Sequence, residues 1–241
     1  MKIYKQVLGP EHPDTLTSMA NLASTYSHQG RWKEAEELRV QEMEICKRVL
    51  GPEHPETLTS MGNLALTYSS QGRWKEAEEL QVRDMEICKR ELGPEHPDTL
   101  TSMANLASTY RNQGRWKEAE ELGVQVIDIR KRVLGPEHPG TLTSIANLAL
   151  TYESQGRWKE AAELGVQVME IRKRVLGPEH PDTLTSMANL AHTWKSQEKI
   201  QYALSLMEKC VKLHNSVLGP NHPHTISSSR SLRKWKEMGN Q

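Results

Sequence analysis

The sequence predicts an all-α fold, a right-handed α-solenoid of stacked helical hairpins, on three observations. The tripeptide Leu-Gly-Pro recurs at Leu8, Leu50, Leu92, Leu134, Leu176 and Leu218, every 42 residues, and a fixed period of this size marks a repeat architecture. Within the copy from Leu92 to Val133, Leu100, Met103, Leu106, Ala107 and Tyr110 follow the three-and-four spacing of a helix with one apolar stripe. Gln113-Gly114 breaks the pattern, and a second run from Trp116 sets Ala119, Leu122, Val126, Ile129 and Val133 on one face. One hairpin cannot cover both stripes, so neighbouring copies must stack.

Taken in order, residues 1–7 align with the tail of a second helix, Met1 with Met43, Ile3 with Ile45 and Val7 with Val49. The chain therefore reads as beginning inside a truncated repeat, as a fragment of a longer protein would, the alternative being an N-terminal face covered by a partner. Five tandem repeats follow, at 8–49, 50–91, 92–133, 134–175 and 176–217. The first helix of each should start at the proline of a His-Pro pair, because proline suits the first helical position. Asp14, Glu56 and Asp98 then complement the macrodipole, with Gly140 the exception. The second helix has Glu34, Glu36 and Glu37 near its start, Lys47-Arg48 near its end and a Lys33–Glu37 pair, all read as a solvated face. The fifth copy departs: its turn is Gln197-Glu198-Lys199-Ile200, without the glycine and tryptophan, and Trp194 replaces tyrosine. Residues 218–241, where Ser231 and Lys236 replace the repeated Asn and Tyr, are read as a capping helix and frayed tail near the C-terminus of the protein.

Composition narrows the function. Lys plus Arg is 31 and Asp plus Glu is 31, a balance that argues against a nucleic-acid surface or a polybasic membrane anchor. No apolar run approaches the roughly 18 residues of a membrane span, and MKIYKQVLGPEHP has no secretory h-region. Cys46 and Cys88 hold the same place in successive repeats, on helices stacked roughly 8–10 Å apart, beyond the ~7 Å reach of a disulfide. The three thiols are read as reduced, and the chain as cytoplasmic. His12, His54, His96, His138, His180 and His222 fall one per connector. They cannot gather four ligands around one ion, so capping or loop packing is their expected duty. Arg130-Lys131-Arg132 and Arg172-Lys173-Arg174 lie at helix ends where cations are favoured anyway. Ser231 and Lys234 match a serine–lysine spacing only by chance. No catalytic residue, cofactor or metal site is expected.

Asn105-Leu106-Ala107, Tyr110, Gly114, Trp116 and Ala119 resemble the framework of a tetratricopeptide repeat, whose usual length is about 34 residues. The additional length and the Leu-Gly-Pro-x-His-Pro connector resemble kinesin light chains. The phrase GRWKEAEEL followed by KRVLG and EHPDTLTSMANLA is closest to kinesin-light-chain-like fungal arrays, often the C-terminal part of NOD-like receptors. The resemblance implies a non-enzymatic scaffold that binds a peptide or partner protein in a concave groove. Its alternatives are a sensing or oligomerisation arm of such a receptor and a passive spacer.

In that geometry the first helix lines the groove, which implies Thr101, Ala104, Asn105, Ser108, Arg111 and Asn112, with Thr59 and Thr143 at the equivalent of Thr101. Repeats one and three differ at seven positions: Ser27/Arg111, His28/Asn112, Arg39/Gly123, Glu42/Val126, Met43/Ile127, Glu44/Asp128 and Cys46/Arg130. These are read as exposed. The groove sets vary as Ser24, Leu66, Ser108, Leu150, His192 and as Ser27, Ser69, Arg111, Glu153, Lys195. Ligand contact or neutral drift predicts the same variation. Asn21, Asn63, Asn105, Asn147 and Asn189 do not vary, although Asn is a poor helix former. A column of amides can pair with the main chain of an extended peptide, the role the resemblance implies; alternatively each sets stacking by bonding a neighbouring helix. Trp32, Trp74, Trp116 and Trp158 are read as core, each worth about 3–5 kcal/mol if buried. Gly123 and Gly165 interrupt the second helix where a close crossing would need them.

Overall fold

The computed structural model describes residues 2–239 and is all-α, a series of tandem helix-turn-helix repeats with no strand among those residues. The helices are α1 (Lys2–Val7), α2 (Pro13–His28), α3 (Trp32–Val49), α4 (Pro55–Ser70), α5 (Trp74–Glu91) and α6 (Pro97–Asn112). They continue with α7 (Trp116–Leu134), α8 (Pro139–Ser154), α9 (Trp158–Leu176), α10 (Pro181–Ser196), α11 (Ile200–Leu218) and α12 (Pro223–Gly239). Two compact units divide the chain, Met1–Leu122 and Gly123–Gln241. In the first, α2 through α6 each pack on the next in sequence; in the second, α8 through α12 do the same.

The even-numbered helices start where the His-Pro pairs predict. His12, His54, His96, His138 and His180 are extended N-caps whose Nδ1 accepts the N–H two residues on, at 3.1–3.2 Å. Proline occupies the first helical position, where a missing N–H costs nothing. Each start is also tied to its connector. Thr15, Thr57 and Thr99, all fully buried, donate to the carbonyls of Gly9, Gly51 and Gly93 at 2.8 Å. Thr141 and Thr183 repeat the bond at 2.9 Å.

The helices end in a Schellman turn. Gly30 has φ +73°, its N–H reaches the Ser27 carbonyl, and Arg31 N–H reaches Tyr26. In the fifth repeat Glu198 holds this left-handed position at φ +62°. A side chain there costs roughly 1–2 kcal/mol relative to its right-handed conformation.

Between the hairpins of the first unit sit Leu16, Met19, Leu58, Met61 and Ile87. Ala23, Ala35, Ala65 and Ala77 are completely buried, small enough for the paired helices to approach. The second unit packs Leu142, Ile145 and Leu148 against Val168, and Leu184, Met187 and Leu190 against Met207 and Trp235. Within the segment 218–241 lies α12, whose Trp235 joins this last cluster; Asn240 and Gln241 lie outside the described residues.

Several expectations are corrected. The tryptophans are not core: Trp32, Trp74 and Trp158 are half-buried and Trp116 is 41% exposed. Each opens a helix, and the carbonyls of Trp32 and Trp74 accept from Gln71 and Gln113 of the following repeat, so the main chain carries much of their role. The charges at the helix starts are not all solvated. Half-buried Glu36 accepts from Arg73 at 2.7 Å and Gln71 at 2.8 Å, and Glu78 repeats this with Arg115 and Gln113. The arginines also lie 4.1–4.2 Å over Tyr68 and Tyr110. The glycine expectation acquires a measure: a Cβ at Gly165 would meet Leu190 Cδ1 at 3.2 Å, and one at Gly123 would meet Leu148 Cδ1 at 3.5 Å.

Candidate functional site

In the first unit α4 and α6 flank a groove of about 300 Å³ floored by α5. It brings together five of the residues singled out from the sequence: Thr59, Asn63, Leu66, Thr101 and Asn105. Leu66 is 47% exposed, an open apolar side chain at the rim. Thr101 bonds back to the Pro97 carbonyl at 2.8 Å, the local bond a helical threonine makes when it faces solvent. Neither Asn63 nor Asn105 spends its amide on the chain. Among the described residues none of the five asparagines makes a side-chain hydrogen bond. The backbone carbonyls of Asn21, Asn63, Asn147 and Asn189 accept from the threonine four residues on.

The floor was not anticipated. Asp84, Cys88 and Ser102 line it, with Asp98 at one end. Asp84 is 7% exposed; Ser102 Oγ donates to one carboxylate oxygen and Cys88 Sγ to the other at 3.8 Å. Burial pushes the Asp84 carboxyl above the ordinary range, with the Ser102 bond acting in the other direction. Burial likewise lifts the Cys88 thiol, to about 11.

Three of the five positions read as exposed variation on the second helix prove to be this buried face, while Glu44 and Asp128 are exposed as expected. Arg39, Glu42 and Cys46 in α3 become Gln81, Asp84 and Cys88 in α5, all buried. The same positions are Gly165, Val168 and Arg172 in α9, where Arg172 donates to Ser186 Oγ at 2.9 Å and the Asp182 carbonyl at 3.2 Å. Their spacing of three and four places them on the face that meets the next hairpin, which the comparison of repeats alone did not reveal. Burial raises Glu42 to about 7 despite the opposing charge of Arg39. Arg39 reaches Ser24 Oγ at 3.1 Å, but its Nε and Nη1 and Glu42 Oε2 are buried without partners.

In the second unit Leu150, Glu153 and Asn189 border a dimple of about 30 Å³ floored by Gly165 and Val168, room for about one water. Glu153 accepts from Thr193 Oγ1. Asn147 is half-buried on α8, and Thr143 bonds to the Pro139 carbonyl at 2.9 Å and receives Arg172 at 3.3 Å. His192 is exposed on α10 and packs edge-to-face on Trp235 of α12, 4.9 Å between ring centroids. Lys195 is half-buried near the end of α10. In the first unit Asn21 is exposed on α2, Ser108 and Arg111 are half-buried on α6, and Asn112 lines a separate cleft beside Arg73 and Trp74.

The basic helix ends are engaged where the connectors meet them: Arg48 with Glu11 at 2.7 Å and Arg174 with Glu137 at 2.5 Å. All three cysteines are buried and unpaired. Among the described residues no cluster of three His, Cys, Asp or Glu could hold a metal ion, and no helix is long and apolar enough to cross a membrane.

A family model described as tetratricopeptide repeat matches residues 1–39, 21–83, 70–132, 104–174 and 154–201, and a second model of the same description matches 183–224. No curated protein matches the chain significantly. Among solved structures, a Podosopora anserina protein of nearly identical TPR-like repeats, assigned as a kinesin light chain, is 37% identical with a TM-score of 0.70, covering 86% of this chain and 98% of that one. A variant of it is 36% identical with a TM-score of 0.72, over 85% and 97%. BtubC from P. vanneervenii, 18% identical with a TM-score of 0.70 over 92% and 87%, shares the fold. The repeat length, the helix-turn-helix geometry and these matches agree: the chain belongs to the tetratricopeptide repeat family, as an array similar to kinesin-light-chain-like proteins.

Proposed function

We propose that the chain is a non-enzymatic scaffold, kinesin-light-chain-like in mode, that binds an extended segment of a partner protein along the faces of α4, α6 and their counterparts. The observation that carries this is the pair Asn63 and Asn105, which line one groove with amides bonded to nothing in the chain. An amide offers a donor and an acceptor together, the complement of a peptide group, so such a column can hold a backbone whatever its side chains. The receptor-arm reading draws no support from the relatives, and a spacer has no need of unpaired amides. Nucleic acid is not the expected partner, given the neutral balance of charge and the engaged arginines. Three buried free thiols suit a reducing, cytoplasmic setting.

The test uses an array of immobilised random peptides probed with labelled protein. Asn63→Ala, Asn105→Ala and Asn147→Ala together should erase the positive spots while leaving the melting temperature within a few degrees. Retained binding, or a large fall in melting temperature, contradicts the proposal.

A further inference from the structure

The groove between α4 and α6 is not neutral. Two carboxylates, Asp84 and Asp98, line it, and no Lys, Arg or His does. Asp84 is the unusual one. It lies at the floor on α5, is nearly closed off from water, and makes no ion pair among the described residues. Its two bonds come from a hydroxyl and a thiol, both uncharged. A carboxylate withdrawn from water without a cation beside it is costly. The third, fourth and fifth repeats show that the fold does not require an acid there, because the equivalent positions are Val126, Val168 and Cys210. The first repeat does carry an acid there, Glu42, but with Arg39 as its opposing charge; Asp84 has no such cation among the described residues, and a cationic guest would supply one.

We propose that this groove binds a lysine or arginine side chain of the extended segment, with Asp84 at its floor as the counter-ion and the Asn63 and Asn105 amides holding the flanking backbone. The assignment rests on the scaffold reading above and specifies the chemistry of its ligand. The groove's volume of about 300 Å³ has room for a long aliphatic stem, which Leu58 and Leu66 would cover, and the charged head would meet Asp84. Asp98 adds a second negative charge at one end of the same groove. The corresponding groove of the second unit is floored by Val168 and holds only about 30 Å³, so it offers no such seat.

Fluorescence anisotropy with three labelled ten-residue peptides tests this, alternating serine with lysine, glutamine or glutamate. The wild-type protein should prefer the lysine peptide. Asp84→Asn and Asp84→Val should weaken that peptide roughly tenfold or more, the usual scale for losing a charged hydrogen-bond partner, and leave the glutamine peptide unchanged. Asp84→Val places the residue of the third and fourth repeats at this site, so it should fold at least as well as the wild type. Glu163→Gln, an exposed carboxylate on α9, should have no effect. The inference is overturned if the lysine peptide does not bind, if the glutamate peptide binds better, or if Glu163→Gln costs as much as Asp84→Asn. Equal binding of the lysine and glutamine peptides, abolished by Asn63→Ala with Asn105→Ala, would overturn the cation seat and leave the scaffold reading intact. Loss of lysine-peptide binding in the Asp84 variants alone would support the seat and remove the role of the amides.

Discussion

Glu42 should make the first repeat less stable as pH rises, and Glu42→Gln should remove that loss. Glu42 is 8% exposed on α3, and burial raises its carboxyl from 4.5 to about 7. An acid raised on folding binds more protons in the folded than the unfolded chain between those two values. Its stabilising contribution is therefore complete below about 4.5 and is lost as pH climbs to about 7. At about 1.4 kcal/mol per tenfold, the displacement corresponds to about 3 kcal/mol. Glutamine keeps the shape and stays neutral, and the value of about 7 already includes the favourable charge of Arg39. The variant should therefore gain on the order of 2–3 kcal/mol at pH 8. Urea midpoints of wild type and variant across pH 4 to 8 measure it: the curves should meet near pH 4.5 and separate above pH 6. Parallel curves, or a variant less stable at pH 8, would show that Glu42 is ionised without penalty and that the buried face of α3 is not as described.

Two further substitutions test local geometry. Glu198→Gly restores the residue used in the other four turns at φ +62° and should stabilise the fifth repeat by about 1 kcal/mol, read as a raised melting temperature. Alanine in a helix gains up to about 1 kcal/mol over glycine. Gly123→Ala should show that gain, because Leu148 stands at ordinary contact distance. Gly165→Ala should not, because buried Leu190 is only 3.2 Å from the new Cβ. Equal effects would contradict the close crossing.

Much of the fold could be read from the chain itself. A repeated His-Pro states where a helix starts, and both halves of that signal act locally, through the imidazole cap and the fixed proline φ. The turn glycine is equally local. What a single repeat does not display is which face of its second helix meets the next hairpin, so Arg39, Glu42 and Cys46 read as surface variation when they are buried floor. A partial signal was present, since the changes fall at spacings of three and four. Trp116 misled in the opposite sense: an aromatic beside a turn suggests core, yet here it opens a helix and keeps its ring partly in solvent. On the groove side, Asn63 and Asn105 stand out in the sequence because an invariant amide in mid-helix contradicts helix propensity, and both line one groove. Asp84 was not, because its meaning depends on what α4 and α6 bring above it.

The most direct measurement of the central claim is the side-chain amide spectrum of asparagine in nitrogen-15-labelled protein during titration with a bound peptide. Asn63 and Asn105 should shift together along one binding curve while the exposed Asn215 on α11 stays still. Amide resonances that do not move while the peptide binds would contradict it.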